Sequence, residues 1–411
     1  MASRPRSGTL GGLLATAPIR NNRQFRLLWF SSIVFFSGFW AHTVVLAWLA
    51  FELTGSEFAV AAFTAARFAP LLFGPIGGVI ADATNRPRLL MFSHIAALLI
   101  SATTASLAAL DVIVYWHVLL SGFLIGMTQA PLQPTRFTLI MDVVPPDQFS
   151  SANALNMAAM MGSRIAAPAA AGVLIATYDA GIALWFSTLW YVPAIYLVWR
   201  VVEPRQGHDR RATGAGVLAD LADGFRIALN SRALNGVLLV SVAANLFSWP
   251  VVQGFMPVFA EDVLDVGAGG LGVLVAAQGG GALIGAVAIA TLGDFPRKGQ
   301  LFLVATGIFG MLLVPFALTE SMPLAVALTV AGGVASAGFG VMQSTLTLLL
   351  APENARGRIS GMLMLSIGVL PLAMLVQGAI ANAIGVVPTT AAAGVLLGLS
   401  ILVLFGMRCA G

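Results

Sequence analysis

The sequence predicts an all-α integral membrane protein with twelve transmembrane helices in two pseudo-symmetric six-helix bundles. Three observations support this prediction. Of the 411 residues, 58% are hydrophobic and 9% are charged, which leaves too few polar groups to cover a water-facing surface. Apolar stretches recur along the whole chain, each about 20 residues or longer, the length that a helix needs to cross a bilayer. Matching residues also recur at a fixed offset in the two halves.

The apolar stretches account for most of the chain, and the sequence lacks the short alternating strands that build a membrane barrel. The predicted domains are a cytoplasmic N-terminal tail (1–26), an N-terminal six-helix bundle (27–203), a cytoplasmic linker with an amphipathic helix (204–231) and a C-terminal six-helix bundle (232–411). The predicted spans are 27–51, 57–81, 89–110, 113–140, 152–177, 182–202, 233–259, 268–292, 300–318, 323–350, 359–384 and 387–407.

The charged residues alternate in sign from one connection to the next. Several arginines precede the first span, and Arg and Lys then occupy every second connection, whereas the opposite connections carry acidic residues such as Asp111, Asp179 and Glu320. By the positive-inside rule, we expect both termini in the cytoplasm and a multi-pass protein of the inner (plasma) membrane. Because this asymmetry explains the net charge of +4, we predict no nucleic-acid partner.

Residue types exclude several chemistries. The single cysteine, Cys409, rules out a disulfide framework and a cysteine zinc cluster. The single lysine, Lys298, does not follow a Gly-x-x-x-x-Gly motif, so the chain has no phosphate-binding loop for ATP. None of the 4 histidines begins a His-Glu-x-x-His zinc site. We therefore predict no metal, no cofactor and no enzyme activity.

The two halves of the chain repeat one another. Asp82 lies between the second and third spans, Asp294 lies between the eighth and ninth, and basic residues follow each of them. Gly172 in the fifth span matches Gly378 in the eleventh. A parallel repeat around a long connection is the arrangement in which two bundles rock about a central site.

The connection between the second and third spans reads GPIGGVIADATNRPR, residues 74–88. Its Gly-x-x-x-Asp-x-x-x-Arg-x-Arg spacing resembles the loop signature of the major facilitator superfamily, which implies a twelve-helix transporter. In that family the glycine permits close helix packing, and the aspartate and basic residues form a cytoplasmic latch. The residues that match the latch, with their counterparts in the second half, are Gly78, Asp82, Arg86, Arg88, Asp294 and Lys298.

Two positions depart from this signature. Ala83 stands where the family has a basic residue, which removes one expected contact of the latch. Asn85 stands where the family has a glycine. Because asparagine tolerates the left-handed backbone that glycine would adopt, we expect Asn85 to take that conformation and preserve the turn.

A longer stretch narrows the resemblance. APLQPTRFTLIMDVVPPDQFSSANAL (residues 130–155) is similar to the branch that holds the enterobactin exporter and macrolide efflux pumps, and residues 218–234 resemble the amphipathic segment before that branch's seventh span. The resemblance implies a monomeric secondary active transporter that exports small amphipathic compounds, drug-like or siderophore-like, in exchange for protons or another coupling ion. The alternatives are an uptake symporter or facilitator for an organic anion, and a membrane enzyme or receptor on this scaffold.

The fifth span contains MGSRIAAPAAAGVL (residues 161–174), which resembles a degraded antiporter motif. In that motif, glycines and a proline let the fifth and eighth spans pack closely. Pro168 and Gly172 remain, and we expect this segment to pack against the eighth span, whose small residues are Gly272, Gly279, Gly280, Gly281 and Gly285. Packing alone would explain these residues. The fourth-span arginine of many drug:proton antiporters falls at about Gly122, which leaves the route of proton coupling open.

Three ionisable residues lie near the middle of predicted spans: His42 in the first, Arg67 in the second and Arg164 in the fifth. Because a charge at mid-bilayer costs about 3 kcal/mol on insertion scales, such residues usually face a cavity and serve a function. The structural alternatives are an interior histidine with satisfied hydrogen bonds, and arginines held by carbonyl groups such as the one that Pro168 leaves without a donor.

The sign of these charges predicts the class of cargo. No carboxylate lies inside any span, so a cavity with two arginines favours anionic or zwitterionic compounds. His42 is the expected proton-coupling group because its ordinary pKa, about 6.5, is near physiological pH. Arg136 and His94 lie nearer the cytoplasm, and we expect their side chains to extend to the membrane interface. The predicted substrate-binding residues are Phe36, Trp40, His42, Arg67, Arg164, Gln253 and Gln278.

Overall fold

The structure is a computed structural model, and it describes residues 17–73, 85–145, 148–201, 226–227, 230–292, 295–352, 359, 362–363 and 366–409. All regular structure within these ranges is helical, and they contain no strand. The predicted all-α class is therefore confirmed. The predicted amphipathic helix of the linker lies almost entirely outside the described residues.

Within the described residues, twelve longer helical segments follow one another, and each overlaps one predicted span. A short helix, Ala17–Asn21, precedes them. The first half contains α1 (Arg23–Glu52), α2 (Glu57–Phe68, extended by a 3-10 turn to Phe73), α3 (Arg86–Ala109), α4 (Tyr115–Val143), α5 (Phe149–Thr177) and α6 (Ala180–Trp199). The second half contains α7 (Arg232–Val263), α8 (Gly267–Leu292), α9 (Lys298–Leu318), α10 (Met322–Leu350), α11 (Leu370–Ile384) and α12 (Val386–Cys409).

Most of these helices are long and apolar enough to cross a membrane. Among the described residues, 10 helices meet that condition. Two helices do not meet it. One is α2, of which only a short part is described, and the other is α4. The chain is therefore a multi-pass membrane protein, and ten of the twelve predicted spans are supported by the length and composition of their helices.

Polar residues at the N-termini explain where several helices begin. The side chains of Asn22, Ser56 and Asp179 accept hydrogen bonds from backbone N–H groups in the first turns of α1, α2 and α6, at 3.0, 3.3 and 2.7 Å. Asn85 does the same for α3, accepting from the Arg88 N–H at 3.1 Å. Its φ of −61° and ψ of 110° are extended, so the predicted left-handed conformation of Asn85 is wrong. The residue caps a helix instead.

Close contacts between helices of different halves depend on small residues. A Cβ atom at Gly172 of α5 would lie 2.7 Å from the Ala268 carbonyl of α8, and one at Gly272 would lie 2.9 Å from the Pro168 carbonyl. Gly281 and Gly285 face α10 instead, since a Cβ at Gly285 would lie 2.6 Å from the Val334 carbonyl and one at Gly281 would meet the Val330 carbonyl. The expectation that these two glycines pack on α5 is wrong.

The apolar core differs between the two ends of the molecule. We call the end with Glu52, Glu57 and Asp262 the acidic end, and the end with Arg86 and Arg200 the basic end. At the acidic end, one cluster joins α1, α2 and α5 to α7, α8 and α11. Toward the basic end, one cluster uses α1, α3, α4 and α6, and a separate cluster uses α7, α9, α10 and α12. The halves therefore share their largest apolar cluster at the acidic end, and a small cluster of Ala65 with Leu370 and Met374 also joins them.

Candidate substrate-binding site

Aromatic side chains form a stripe along one face of α1. Phe39 and Trp40 follow Phe36 by three and four residues, which places both of them next to Phe36 on one side of the helix. Their ring centroids lie 6.4 Å apart between Phe36 and Phe39, and 5.3 Å apart between Phe39 and Trp40. This stripe is the surface against which the buried arginines of the first half pack.

Two arginines from different helices meet at Trp40. The guanidinium carbon of Arg164, from α5, lies 4.8 Å from the Trp40 ring centroid, and that of Arg67, from α2, lies 5.5 Å from it. Arg67 also stacks on Phe39 and Phe68, at 4.8 and 4.9 Å. These are cation–π distances, which are favourable when the cation is removed from water. We call Trp40, Arg67 and Arg164 the Trp40 cluster.

The Trp40 cluster contains several hydrogen-bond donors that lack acceptors. Among the residues that the structure describes, Nε of Arg67, Nε of Arg164 and Nε1 of Trp40 are buried and have no hydrogen-bond partner. Arg67 is only 5% exposed. No salt bridge between described residues reaches either guanidinium. Buried charges without a partner are costly, so this geometry would be satisfied by an anionic group.

The backbone of Arg164 explains how α5 approaches α8 at this level. Pro168 has no N–H, so the carbonyl one turn earlier, that of Arg164, loses its usual helical donor. This carbonyl faces Gly279 of α8, where a Cβ atom would lie 3.5 Å from its oxygen. The Nε of Arg164 binds no carbonyl among the described residues. Gly279 therefore leaves room for this carbonyl, and the Nε of Arg164 does not donate to it.

His42 lies in a separate polar group inside the first half. It is 1% exposed, and its Nδ1 lies 3.0 Å from Ser101 Oγ and 3.3 Å from Ser187 Oγ, while its Nε2 lies 3.3 Å from Ser121 Oγ. We call this group the His42 cluster; it comprises His42, Ser101, Thr104, Ser121, Ser187 and Thr188. Hydroxyl groups both donate and accept, so they satisfy either tautomer. This agrees with the interpretation of an interior histidine with satisfied hydrogen bonds.

The structure corrects the prediction for Arg136 and His94. Arg136 is 1% exposed and turns inward, where Nη1 donates to Ser32 Oγ and Nη2 lies 3.4 Å from His94 Nε2. His94 Nδ1 contacts the Leu90 carbonyl at 2.5 Å. Neither side chain extends to the membrane interface. The sequence position of Arg136 indicates its depth in the membrane but not the direction of its side chain. The side chain turns inward to a hydrogen-bond acceptor on α1, the Ser32 hydroxyl.

The remaining predicted site residues are dispersed. Phe36 contacts Arg136, with the guanidinium carbon 5.3 Å from its ring, rather than the Trp40 cluster. Gln253 lies in a π-helical turn of α7, and its carbonyl lies 3.5 Å from Thr64 Oγ1 of α2. Gln278 points into the second half, where its Nε2 donates to Ser336 Oγ at 3.4 Å.

The predicted latch is described only in part. Gly78, Asp82 and Asp294 lie outside the described residues. Arg86 forms a salt bridge with Asp142, which lies at the basic end of α4. No motif in the sequence indicates this pairing. The ammonium nitrogen of Lys298 lies 5.6 Å from the Phe295 ring. Arg88 is exposed, and its backbone N–H donates to the Asn85 side chain that caps α3.

The sequence matches the family model described as transmembrane secretion effector over residues 14–410. The chain belongs to this family, within the major facilitator superfamily. It is therefore a membrane transporter rather than an enzyme. None of the curated proteins matches the chain.

Solved structures share the fold of this family member across nearly its full length. A bacterial homolog of the human lysosomal transporter Spinster, in an inward-facing and unoccupied conformation, is 15% identical with a TM-score of 0.71, covering 94% of this chain and 97% of that one. A POT family transporter in complex with 5-aminolevulinic acid is 10% identical with a TM-score of 0.79, covering 98% and 97%. The nucleoside transporter NupG is 12% identical with a TM-score of 0.71, covering 94% and 98%.

Proposed function

We propose that this transporter exports small anionic or zwitterionic amphipathic compounds, drug-like or siderophore-like, across the inner membrane in exchange for protons. The observation that carries the proposal is the Trp40 cluster: two guanidinium groups on one indole, with buried donors that lack acceptors among the described residues. A carboxylate, catecholate or sulfonate would accept from these donors. A cationic compound would meet two like charges instead.

The chemistry of arginine supports an anion-binding role over a purely structural one. A guanidinium offers donors in a planar fork that matches carboxylate geometry, and it stacks on aromatic rings without losing them. Arg67, Arg164 and Arg136 all stack on aromatic rings, and each has a buried Nε without a hydrogen-bond partner among the described residues. They differ in that the two terminal nitrogens of Arg136 contact Ser32 and His94. The two arginines at Trp40 are therefore the better candidates for binding cargo.

One observation favours export: the family description is that of a secretion effector. The halves share a core at the acidic end and have separate clusters toward the basic end, which the positive-inside rule assigns to the cytoplasm. This is the arrangement of an inward-facing state, which exporters and importers both pass through. An uptake symporter or facilitator for an organic anion would use the same arginines and is the alternative.

We propose that His42 is the group whose protonation couples transport to the proton gradient. The hydroxyl groups of the His42 cluster connect α1, α3, α4 and α6, and they can rotate to donate to a neutral imidazole or accept from a charged one. A protonation change there would alter hydrogen bonds between four helices at once. Asp82, Asp294 and the basic residues of the latch would then hold the cytoplasmic side closed in the outward-open state.

Transport in everted vesicles tests the proposal. The cargo panel contains catecholate siderophores, anionic antibiotics and the fluorescent anion 2-anilinonaphthalene-6-sulfonate. We expect energised vesicles, acid inside, to accumulate at least one anion, and Arg67→Gln to abolish this accumulation. Arg200→Gln is the matched control because Arg200 is exposed at the end of α6. Accumulation in right-side-out vesicles instead would establish uptake, and equal transport by Arg67→Gln would exclude Arg67 from the site.

A further inference from the structure

A tyrosine hydroxyl of α6 is buried inside the first half without a hydrogen-bond partner. Tyr191 is 0% exposed, and its hydroxyl has no partner among the described residues. Buried hydroxyl groups in proteins almost always bond to the protein or to ordered water, because an unpaired one costs free energy. Neither the Trp40 cluster nor the His42 cluster includes this group. The phenol therefore needs an acceptor that the described residues do not supply.

The other tyrosines, all of which the structure describes, have hydroxyl groups that are bonded or near solvent. Tyr115 donates to the Ala59 carbonyl at 3.0 Å. Tyr196 is 51% exposed and accepts from Arg200 at 2.7 Å, and Tyr178 is 68% exposed. Of the 4 tyrosines in the sequence, the one on α6 is thus the one that combines full burial with an unpartnered hydroxyl.

The ring of Tyr191 packs on α1 close to the Trp40 cluster. Its centroid lies 5.3 Å from that of Phe35, and it belongs to the apolar cluster that contains Phe39 and against which Trp40 packs. Gly38 permits this approach, since a Cβ there would lie 3.4 Å from Cζ of Tyr191, the ring atom that carries the hydroxyl. The polar end of the ring therefore lies beside the residue that precedes Phe39.

The Tyr191 hydroxyl also lies within electrostatic range of Arg67. These two side chains interact with each other, and Arg67 interacts in the same way with Arg164. The guanidinium carbon of Arg67 lies 4.8 Å from the ring of Phe39, the neighbour of Gly38. The hydroxyl and the two guanidinium groups therefore belong to one polar region, which α1, α2, α5 and α6 border.

This region contains four buried donors that lack acceptors among the described residues. They are Nε1 of Trp40 on α1, Nε of Arg67 on α2, Nε of Arg164 on α5 and the hydroxyl of Tyr191 on α6. An ordered water would accept from the hydroxyl but would leave two positive charges uncompensated. An anion with several oxygen atoms satisfies both requirements.

We propose that Tyr191 is a further cargo-binding residue, whose hydroxyl donates to the oxyanion head group that Arg67 and Arg164 bind. This inference rests on the proposed function and deepens it. A phenol adds a donor without adding charge, so the site would suit a head group with several oxygens, such as a sulfonate, phosphonate or carboxylate. All four donors come from the first half, so the head group would stay with this half when the two halves move.

Two substitutions of tyrosine by phenylalanine test this role, and each removes a hydroxyl while keeping the ring. Tyr191→Phe removes the unpartnered hydroxyl, and the matched control Tyr115→Phe removes one that is bonded to the protein. The probes are naphthalene-2-sulfonate, an aromatic anion, and N-phenyl-2-naphthylamine, an uncharged aromatic amine. Binding to purified protein is measured with empty detergent micelles as the blank, and the thermal midpoint is measured without ligand.

The two variants should differ in opposite directions. We expect Tyr191→Phe to bind naphthalene-2-sulfonate about tenfold more weakly than wild type and the neutral amine equally well. Its thermal midpoint should not fall, because the hydroxyl has no bond to a described residue to lose. Tyr115→Phe should keep the affinity for the anion and have a lower thermal midpoint, because it loses the bond to the Ala59 carbonyl.

The outcomes distinguish this inference from the proposed function. Wild-type affinity for the anion in Tyr191→Phe, with or without a lower thermal midpoint, would overturn the assignment of Tyr191, and loss of the anion in Arg67→Gln would still support the proposed function. Equal weakening of the anion and the neutral amine would indicate a change in packing and also overturn it. Weaker anion binding in Tyr191→Phe but not in Arg67→Gln would keep Tyr191 in a binding site and refute the role of Arg67. Failure of wild type to bind the anion would refute both.

Discussion

The two halves of the molecule have the same helical plan but different interiors. The first half buries Arg67 and Arg136, which are 5% and 1% exposed, together with two histidines. The second half buries neutral polar groups: Gln343 donates to Ser241 Oγ at 2.7 Å, and Gln377 donates to the Leu246 carbonyl at 2.5 Å. The first half therefore buries charged groups, whereas these buried polar groups of the second half are neutral.

The first half itself holds buried cations of two kinds. All three arginines have an unpartnered Nε, but the terminal nitrogens of Arg136 contact Ser32 and His94, whereas the guanidinium groups of Arg67 and Arg164 meet at Trp40. The difference indicates which charges serve the fold and which remain for a ligand. The predictions below test this division and the contact between the halves, from the largest expected effect to the smallest.

The contact between α5 and α8 should be the least tolerant of change. A Cβ at Gly172 would lie 2.7 Å from the Ala268 carbonyl oxygen and 2.8 Å from the Gly272 Cα, and backbone atoms cannot rotate away. We expect Gly172→Val to separate the halves at the acidic end and reduce transport more than tenfold. Gly162→Val, on the same helix, is the control because nothing lies within 4 Å of its Cβ position. Equal transport by both variants would refute a role for this contact.

Removing Arg136 should harm folding more than binding. Arg136→Ala leaves a cavity among Phe35, Phe36 and His94 and deprives Ser32 of its donor. We expect a loss of about 2–4 kcal/mol in stability, seen as a lower thermal midpoint in detergent. The folded fraction should bind anions with wild-type affinity. A stable Arg136→Ala protein with weakened anion binding would reverse the division between the two kinds of arginine.

His42→Gln should uncouple transport from the proton gradient while sparing exchange. Glutamine can still donate to and accept from the hydroxyls of the His42 cluster, but it does not titrate. We expect gradient-driven transport by the variant to lose its dependence on pH. His117→Gln, at the start of α4, serves as the control. Full pH dependence in His42→Gln would make His42 structural and Glu52 the next candidate.

The salt bridge between Arg86 and Asp142 should have the smallest effect. It lies near the basic end and is partly exposed, where ion pairs contribute about 0–1 kcal/mol. We expect Asp142→Asn to change the transport rate by less than about fivefold. The variant Asp82→Asn, which alters the predicted latch, should slow transport more without affecting insertion. A larger effect of Asp142→Asn than of Asp82→Asn would assign the latch to the Arg86–Asp142 pair.

The features that the sequence predicts well are local ones. Apolar length locates the helices, and alternating charge separates the basic connections from the acidic ones, because each depends on neighbouring residues. Asn85 was misassigned because the same residue type fits a left-handed turn and a helix cap. The faces of Gly281 and Gly285 were misassigned because a glycine-rich helix such as α8 is small on every side.

The candidate site was predicted in its members but not in its arrangement. Charge and depth identified Arg67, Arg164 and His42, yet no pattern in the sequence indicates that the first two would stack on Trp40. The three serine partners of His42 come from three other helices. Such contacts depend on tertiary packing, which brings together residues far apart in the sequence, such as His42 and Ser187, 145 positions apart.

The affinity of Arg164→Lys for an anion tests the central claim most directly. A lysine keeps the charge but loses the planar fork and the stacking on Trp40. For naphthalene-2-sulfonate, we predict about tenfold weaker binding to the folded fraction of Arg164→Lys than to wild type, with unchanged binding of the neutral N-phenyl-2-naphthylamine. Unchanged affinity for the anion in Arg164→Lys, and in Arg164→Ala, would contradict recognition of anionic cargo by the Trp40 cluster.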